Sequence, residues 1–207
     1  MKHFRTPTLA ILAGACLSLL GTNALAESTY GYNAAGTVAV AANARLNLVI
    51  NVPKLILLRV GSSGATVDTL TWNSGITWVT APATLTDGNN QATNWDGTAP
   101  GTGTTANPAA ISAFAWTNSL GGGSLVYAAT TFAAGGPTLG DITVTSASGF
   151  GLVHPAPSPL AALSTGATAF ARNTLATGSW SFALGGTPAA WTPGQYTSTV
   201  TYTATSL

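Results

Sequence analysis

The chain has 207 residues, of which 46% are hydrophobic and only 5% charged, and its formal net charge is +1. Nucleic-acid binding leaves a clustered basic footprint, and the six lysines and arginines form none. A high apolar content with so little net charge also excludes an intrinsically disordered chain.

The chain opens on a secretion address. Lys2, His3 and Arg5 give a charged start, residues 9–20 are apolar, and Ala24-Leu25-Ala26 supplies the small-x-small pattern of a cleavage site. Residues 1–26 are therefore expected to be removed, so that the exported chain starts at Glu27. The competing reading, lipoprotein processing at Cys16, lacks the expected leucine in Ala13-Gly14-Ala15, and Leu19-Leu20 carry the apolar run past it. Cleavage removes the only cysteine and leaves 181 residues (207 minus 26). A core of that size can hold itself together without disulfides. Nine charged side chains remain, Arg45, Lys54, Arg59 and Arg172 against Glu27, Asp68, Asp87, Asp96 and Asp141, for a net of minus one (four minus five). No later segment reaches about 18 consecutive apolar residues, so the exported chain is expected to have no transmembrane helix.

Residues 37–52 form one unbroken two-residue alternation. Val38, Val40, Ala42, Ala44, Leu46, Leu48, Ile50 and Val52 share one face, and Thr37, Ala39, Ala41, Asn43, Arg45, Asn47, Val49 and Asn51 lie on the other. Strands usually run about 5 to 6 residues, and sixteen in phase would span roughly 53 Å. Part of this run is expected to pair elsewhere, with a division near Asn43 where small side chains give way to bulky ones. The alternative is a single strand bent by a bulge at Asn43.

Further along, residues 54–60 (KLILLRV) read as a buried strand between Pro53 and Gly61, with Lys54 and Arg59 as charged gatekeepers. Residues 65–72 and 76–79 read as a hairpin about Asn73-Ser74-Gly75. Residues 87–108 are a long polar insertion. Residues 111–116 and 125–132 flank a glycine turn, Gly121-Gly122-Gly123, and the alternations at 142–145 and 180–184 are two further strands. Pro155, Pro157 and Pro159 mark a connection that cannot donate to a ladder. The last strand sets Tyr196, Val200, Tyr202 and Ala204 against Thr197, Thr199, Thr201, Thr203 and Thr205, after a Pro193-Gly194 turn. Many short strands with Gly and Pro turns predict an all-β sandwich. The expected organisation is an extension over residues 27–43 and a sandwich over 44–207.

The chain offers little for catalysis, and no catalytic residue, cofactor or metal is expected. His154 is the only histidine after cleavage and reads as a surface-loop residue, and no G-x-S-x-G elbow occurs. Asp87 and Asp96 could suggest a glycosidase pair, but each precedes glycine in an ordinary turn signal. Calcium binding by Asp87, Asn89, Asn90 and Asp96 would lack the closing glutamate of the twelve-residue loop. Trp72, Trp78, Trp116 and Trp180 lie on apolar strand patterns and read as core. Trp95, between Asn94 and Asp96, is instead a candidate sugar-stacking residue, so a carbohydrate-binding module or tip adhesin is the alternative function. An outer-membrane barrel is disfavoured because the final Leu207 is out of phase with Tyr196, Val200 and Tyr202.

With its alternating start TVAVAANARLNLVINV and its ending PGQYTSTVTYTATSL, in which Gly194 is the fourteenth residue from the end, the chain resembles the subunits of chaperone-usher pili. The likeness is greatest to the cysteine-free colonisation-factor class and related secreted fimbrial proteins. Many pilins carry a penultimate aromatic, whereas this chain has Ser206 there and Tyr202 as its nearest aromatic. The resemblance implies an incomplete immunoglobulin-like sandwich, handled by a periplasmic chaperone and an outer-membrane usher and completed by donor-strand exchange into a surface fibre. It also implies Val38, Val40 and Ala42 as the donated face, with Leu46, Leu48 and Ile50 in the subunit's own first strand. Gly194, Tyr196, Val200, Tyr202 and Ala204 would then form the edge that the chaperone or donor meets.

Overall fold

The computed structural model describes residues 27–77, 85–104 and 106–207. The expected signal segment with Cys16, and Trp78 and Val79 of the expected hairpin, lie outside them. The chain divides into two compact units, Met1–Val52 and Pro53–Leu207.

In the first unit no residue of 27–52 is in a strand, so the sixteen-residue strand expected over 37–52 is not formed. Residues 27–45 instead fold back on themselves about Asn33 and Gly36, where the Gly36 N–H donates to the Asn33 carbonyl (3.2 Å) and the Ala35 N–H to Asn33 Oδ1 (3.0 Å). The Thr29 hydroxyl donates to the Asn43 carbonyl at 2.8 Å, and Arg45 Nε pairs with Glu27 Oε2 at 2.9 Å. Between them Gly31 lies so close to Ala41 that a Cβ would sit 2.8 Å from its carbonyl oxygen. The couples 27/45, 29/43 and 31/41 step by two along each arm, the register of an antiparallel hairpin. It carries no ladder, because a lone two-stranded hairpin without a packed face is marginal in water.

The second unit is all-β. Its strands are β1 (Ile56–Val60), β2 (Ser74–Thr77), β3 (Gly101–Thr104), β4 (Ile111–Thr117), β5 (Gly123–Ala129), β6 (Ile142–Ser146), β7 (Thr168–Phe170), β8 (Ala176–Leu184) and β9 (Val200–Ser206). They form antiparallel sheets in the orders β1-β4-β8-β6 and β7-β5-β9, with β2 and β3 as a separate pair. Leu46, Leu48 and Ile50 are therefore not in the first strand, which begins only at Ile56. The hairpin expected about Asn73-Ser74-Gly75 is not formed either. Ser74 and Gly75 lie within β2, whose partner is the Gly101–Thr104 stretch of the polar insertion.

One core lies between the two larger sheets, built from Ala113 and Ala115 of β4, Leu125 and Tyr127 of β5, Ile142 and Val144 of β6, Phe170 of β7, and Trp180 and Phe182 of β8. The alternation of β4 is legible, but its phase is the reverse of the simplest expectation. Ala113, Ala115 and Thr117 point inward while Phe114 and Trp116 point outward, so Trp116 is not a core residue. Small inward side chains on β4 leave the layer to Trp180, which is fully buried. Its indole N–H donates to the Leu152 carbonyl at 3.0 Å, and that carbonyl crosses Gly178 so closely that a Cβ there would meet it at 2.3 Å. Only glycine admits this crossing.

The proline-rich connection is anchored to the core at several positions, while Val153, Ala156, Ser158 and Pro159 stay exposed. Pro155 is fully buried and Leu160 is buried, with the Leu160 N–H donating to the Ile142 carbonyl at 2.8 Å. The peptide bonds before Pro157 and Pro159 are cis.

Trp180→Ala is expected to destabilise this unit by about 3 to 5 kcal/mol, through the cavity it leaves and the stranded Leu152 carbonyl. Trp95→Ala, at a ring 55% exposed, should stay within about 0.5 kcal/mol. Urea unfolding midpoints of the two variants provide the check.

Candidate functional site: the seam between β1 and β9

Edge strands are the places where a sandwich remains chemically unfinished. Among the described residues, β1 pairs only with β4, and β9 only with β5. On each, alternate residues face the core: Ile56, Leu58 and Val60 on β1, and Val200, Tyr202, Ala204 and Ser206 on β9. These positions are only half-buried, whereas the facing positions of the central strands are fully buried. The edge strand β6 differs: its Ile142 and Val144 are buried, and residues 158–160 bond along it, the Leu160 N–H to the Ile142 carbonyl and the Val144 N–H to the Ser158 hydroxyl.

The two edges lie beside each other. Cα atoms of β1 and β9 come within 8 Å, yet no ladder joins them. Packed sheets normally stand about 10 Å apart, so the edges have drawn together over the exposed apolar side chains without satisfying each other's backbone groups. Both ends of β9 are anchored. The Thr130 N–H donates to the Thr199 carbonyl at 3.0 Å, the Leu207 N–H donates to the Gly122 carbonyl at 2.9 Å, and the Ser119 hydroxyl donates to the Leu207 carbonyl. At the other side of the seam, the Thr117 hydroxyl and the Asn118 N–H both donate to the Leu55 carbonyl, at 2.8 and 3.3 Å, just before β1 begins.

Tyr202 connects the seam to the core. Its hydroxyl lies 2.8 Å from Nε2 of His154. The His154 ring stands edge-on to Trp180 (centroids 5.0 Å apart) and Phe182 (6.0 Å), and lies 5.1 Å from Tyr127. His154 is thus a half-buried member of an aromatic cluster and not the surface-loop residue its proline-rich surroundings suggested. Burial is the main cause that lowers its pKa to about 4, opposed by a hydrogen bond to the Pro155 backbone. Burial, with a smaller contribution from Tyr127, pushes the Tyr202 hydroxyl well above its ordinary range, so both stay neutral at neutral pH.

The expected site residues separate into groups. Val200, Tyr202 and Ala204 share the inward face of β9. Gly194 and Tyr196 precede the strand, and Tyr196 packs its ring on Gly136 while donating its hydroxyl to the Thr192 and Gly135 carbonyls. Val38, Val40 and Ala42 are exposed in the first unit, as are residues 46–52. In the polar insertion the Trp95 indole N–H donates to the Thr98 carbonyl (2.7 Å) and Asp96 Oδ1 accepts from the Thr98 N–H (2.9 Å). Asn94 is exposed beside them. Their polar groups therefore serve the loop's own turn, while the Trp95 ring face stays open. Among the described residues no group of three His, Cys, Asp or Glu side chains could hold a metal ion.

One surface was not anticipated. Leu57, Phe114, Trp116 and Leu175 line a shallow depression of about 320 Å³ on the outer face of β1 and β4, with the Arg59 guanidinium 4.0 Å above the Phe114 ring. Arg59 thereby covers part of the aromatic surface next to the apolar edge strand.

No protein-family model matches the chain, and neither a curated protein nor a solved structure is significantly similar to it. No helix among the described residues is long and apolar enough to cross a membrane.

The His154 cluster generates a pH dependence. Its folded pKa lies below the unfolded value of about 6.5, so the unfolded chain binds more protons between pH 6.5 and 4. The stabilisation is complete above pH 6.5 and is lost as the pH falls towards 4. Thermal midpoints should decline across that window, and His154→Gln should flatten the decline. An unchanged slope in the variant would assign the acid sensitivity to other groups.

Proposed function

We propose that this protein is a structural subunit of a bacterial surface fibre, assembled by β-strand donation between copies and supporting adhesion or biofilm formation. The observation that carries the reading is the seam, two unpaired strand edges side by side whose inward apolar residues are left half-covered. An extended segment from another copy would find unsatisfied N–H and C=O groups on either side and apolar positions beneath it. Because such contacts run head to tail without closing, the product is a fibre.

The strand order supports an immunoglobulin-like sandwich with a strand absent. Taking β1, β4, β8 and β6 as strands A, B, E and D, and β5 and β9 as C and F, the vacant place is that of strand G, beside β9. The exposed extension at the start of the exported chain is the natural donor. A periplasmic chaperone would cover the seam before assembly and an outer-membrane usher would pass the subunit to the surface, as in the pili the chain resembles.

Removal of residues 27–52 should leave the Pro53–Leu207 unit folded, with its Trp180 fluorescence intact, and abolish assembly. Fibres or large oligomers still formed by the truncated protein, seen by light scattering and electron microscopy, would rule out donation by this segment.

A second reading rests on the open ring face of Trp95. A tip adhesin would stack a sugar there, since one aromatic face among polar neighbours gives a platform for a pyranose ring. Glycan-array binding that vanishes in Trp95→Ala, with the unfolding midpoint unchanged, is its expected signature; an array without hits removes this reading.

A further inference from the structure

We propose that the donated strand is residues 46–52, entering the β1/β9 seam of a second copy of this chain, while the hairpin of residues 27–45 stays outside. This rests on the fibre reading and adds which half of the extension travels.

The first ground is that the other half is already engaged. Residues 37–45 form the second arm of the hairpin, bonded through Asn43 and Arg45 to Thr29 and Glu27, with Ala41 lying close to Gly31. The Glu27–Arg45 ion pair closes it immediately before Leu46. Using Val38, Val40 and Ala42 as the inserted face would require the hairpin to open first.

Exposure gives the second ground. Leu46, Leu48, Ile50 and Val52 are 65, 82, 86 and 79% exposed and alternate in the sequence, against 66 and 53% for Val38 and Val40. Four large aliphatic side chains in alternation offer far more apolar area for burial than two valines and an alanine, and at about 25 cal/mol per Å² that area decides which half inserts. In a strand Asn47, Val49 and Asn51 would fall on the opposite side.

Length is the third. Residues 46–52 number seven, as does β9 (Val200–Ser206), so one segment spans the whole free edge. Pro53 follows at once and cannot donate to a ladder, which ends the donated strand at Val52. Only residues 53–55 then separate it from the donor's own β1, so successive subunits would be joined by a link of roughly 14 Å at most.

The test compares two double variants of the exported chain, L48D/I50D and V38D/V40D. All four positions are exposed, so both variants should fold, which near-UV circular dichroism and the unfolding midpoint establish. A carboxylate carried into an apolar seam is strongly disfavoured. L48D/I50D should therefore raise the concentration needed for assembly by roughly a hundredfold or more, and V38D/V40D should leave it within about threefold. Loss confined to V38D/V40D, or equal loss in both, would overturn the assignment and leave the fibre reading standing. A wild-type chain that remains monomeric at every concentration would remove the fibre reading and this inference together.

Discussion

The whole structure depends on backbone hydrogen bonds that have no partner. A strand inside a sheet satisfies its N–H and C=O groups through both neighbours; among the described residues β1 and β9 pair on one side only, and they are the two sheet edges that lie side by side. The inward residues of the two edges are half-covered, the edges lean together without bonding, and an alternating apolar segment lies exposed just before β1. Many soluble sandwiches blunt such edges with charge or proline. Here the charges available are few, nine after the expected cleavage, and only Lys54 and Arg59 flank the edge strand. Arg59 has folded onto Phe114 and covers aromatic surface on the outer face of β1 and β4.

The interior of the second unit compensates for the unfinished edge. Its centre is crossed by the segment of residues 152–160, whose Leu152 carbonyl accepts the Trp180 indole and whose His154 meets Tyr202. This arrangement ties the β9 edge to the middle of the opposite sheet through one hydrogen bond and a set of tilted and edge-on rings. Such a network holds β9 in position from its inward face, where it has a strand partner on one side. Aromatic pairs of this kind contribute about 0.5 to 1.5 kcal/mol beyond their buried area.

Much of this was legible in the sequence, and the failures have physical causes. The alternations in β6, β8 and β9 identified strands and their inward faces, because period two is fixed by the pleat. The same signal failed for residues 37–52, where alternation declares competence to pair but not the presence of a partner. In β4 the pattern Ala113, Phe114, Ala115, Trp116 announces a strand yet leaves its phase open. Burial of Trp180 from β8 decides it, and that is information from another part of the chain. His154 was misread because a proline-rich stretch normally runs over the surface. Here it lies along the sandwich and turns Leu152 and Pro155 into the core, with His154 half-buried between them. The seam was legible only as two ends of suitable character, and their juxtaposition is tertiary.

The approach of β1 to β9 within 8 Å has a consequence for how a strand would enter. A donor lying between two edges needs about 4.7 to 4.9 Å on each side, so the edges must part before both ladders can form. Under the proposed assembly, an unfilled subunit would be a partly closed state, in which Ile56, Leu58, Val200 and Tyr202 hide some of their surface from water at the expense of unpaired backbone groups. Entry of a strand would exchange that limited burial for two hydrogen-bonded ladders and a completed apolar layer. The exchange would be favourable at its end and unfavourable at its start, since the seam opens before the new bonds are made. A barrier of this origin would keep isolated subunits apart until a strand is presented in register, and would make the filled state slow to release it once formed.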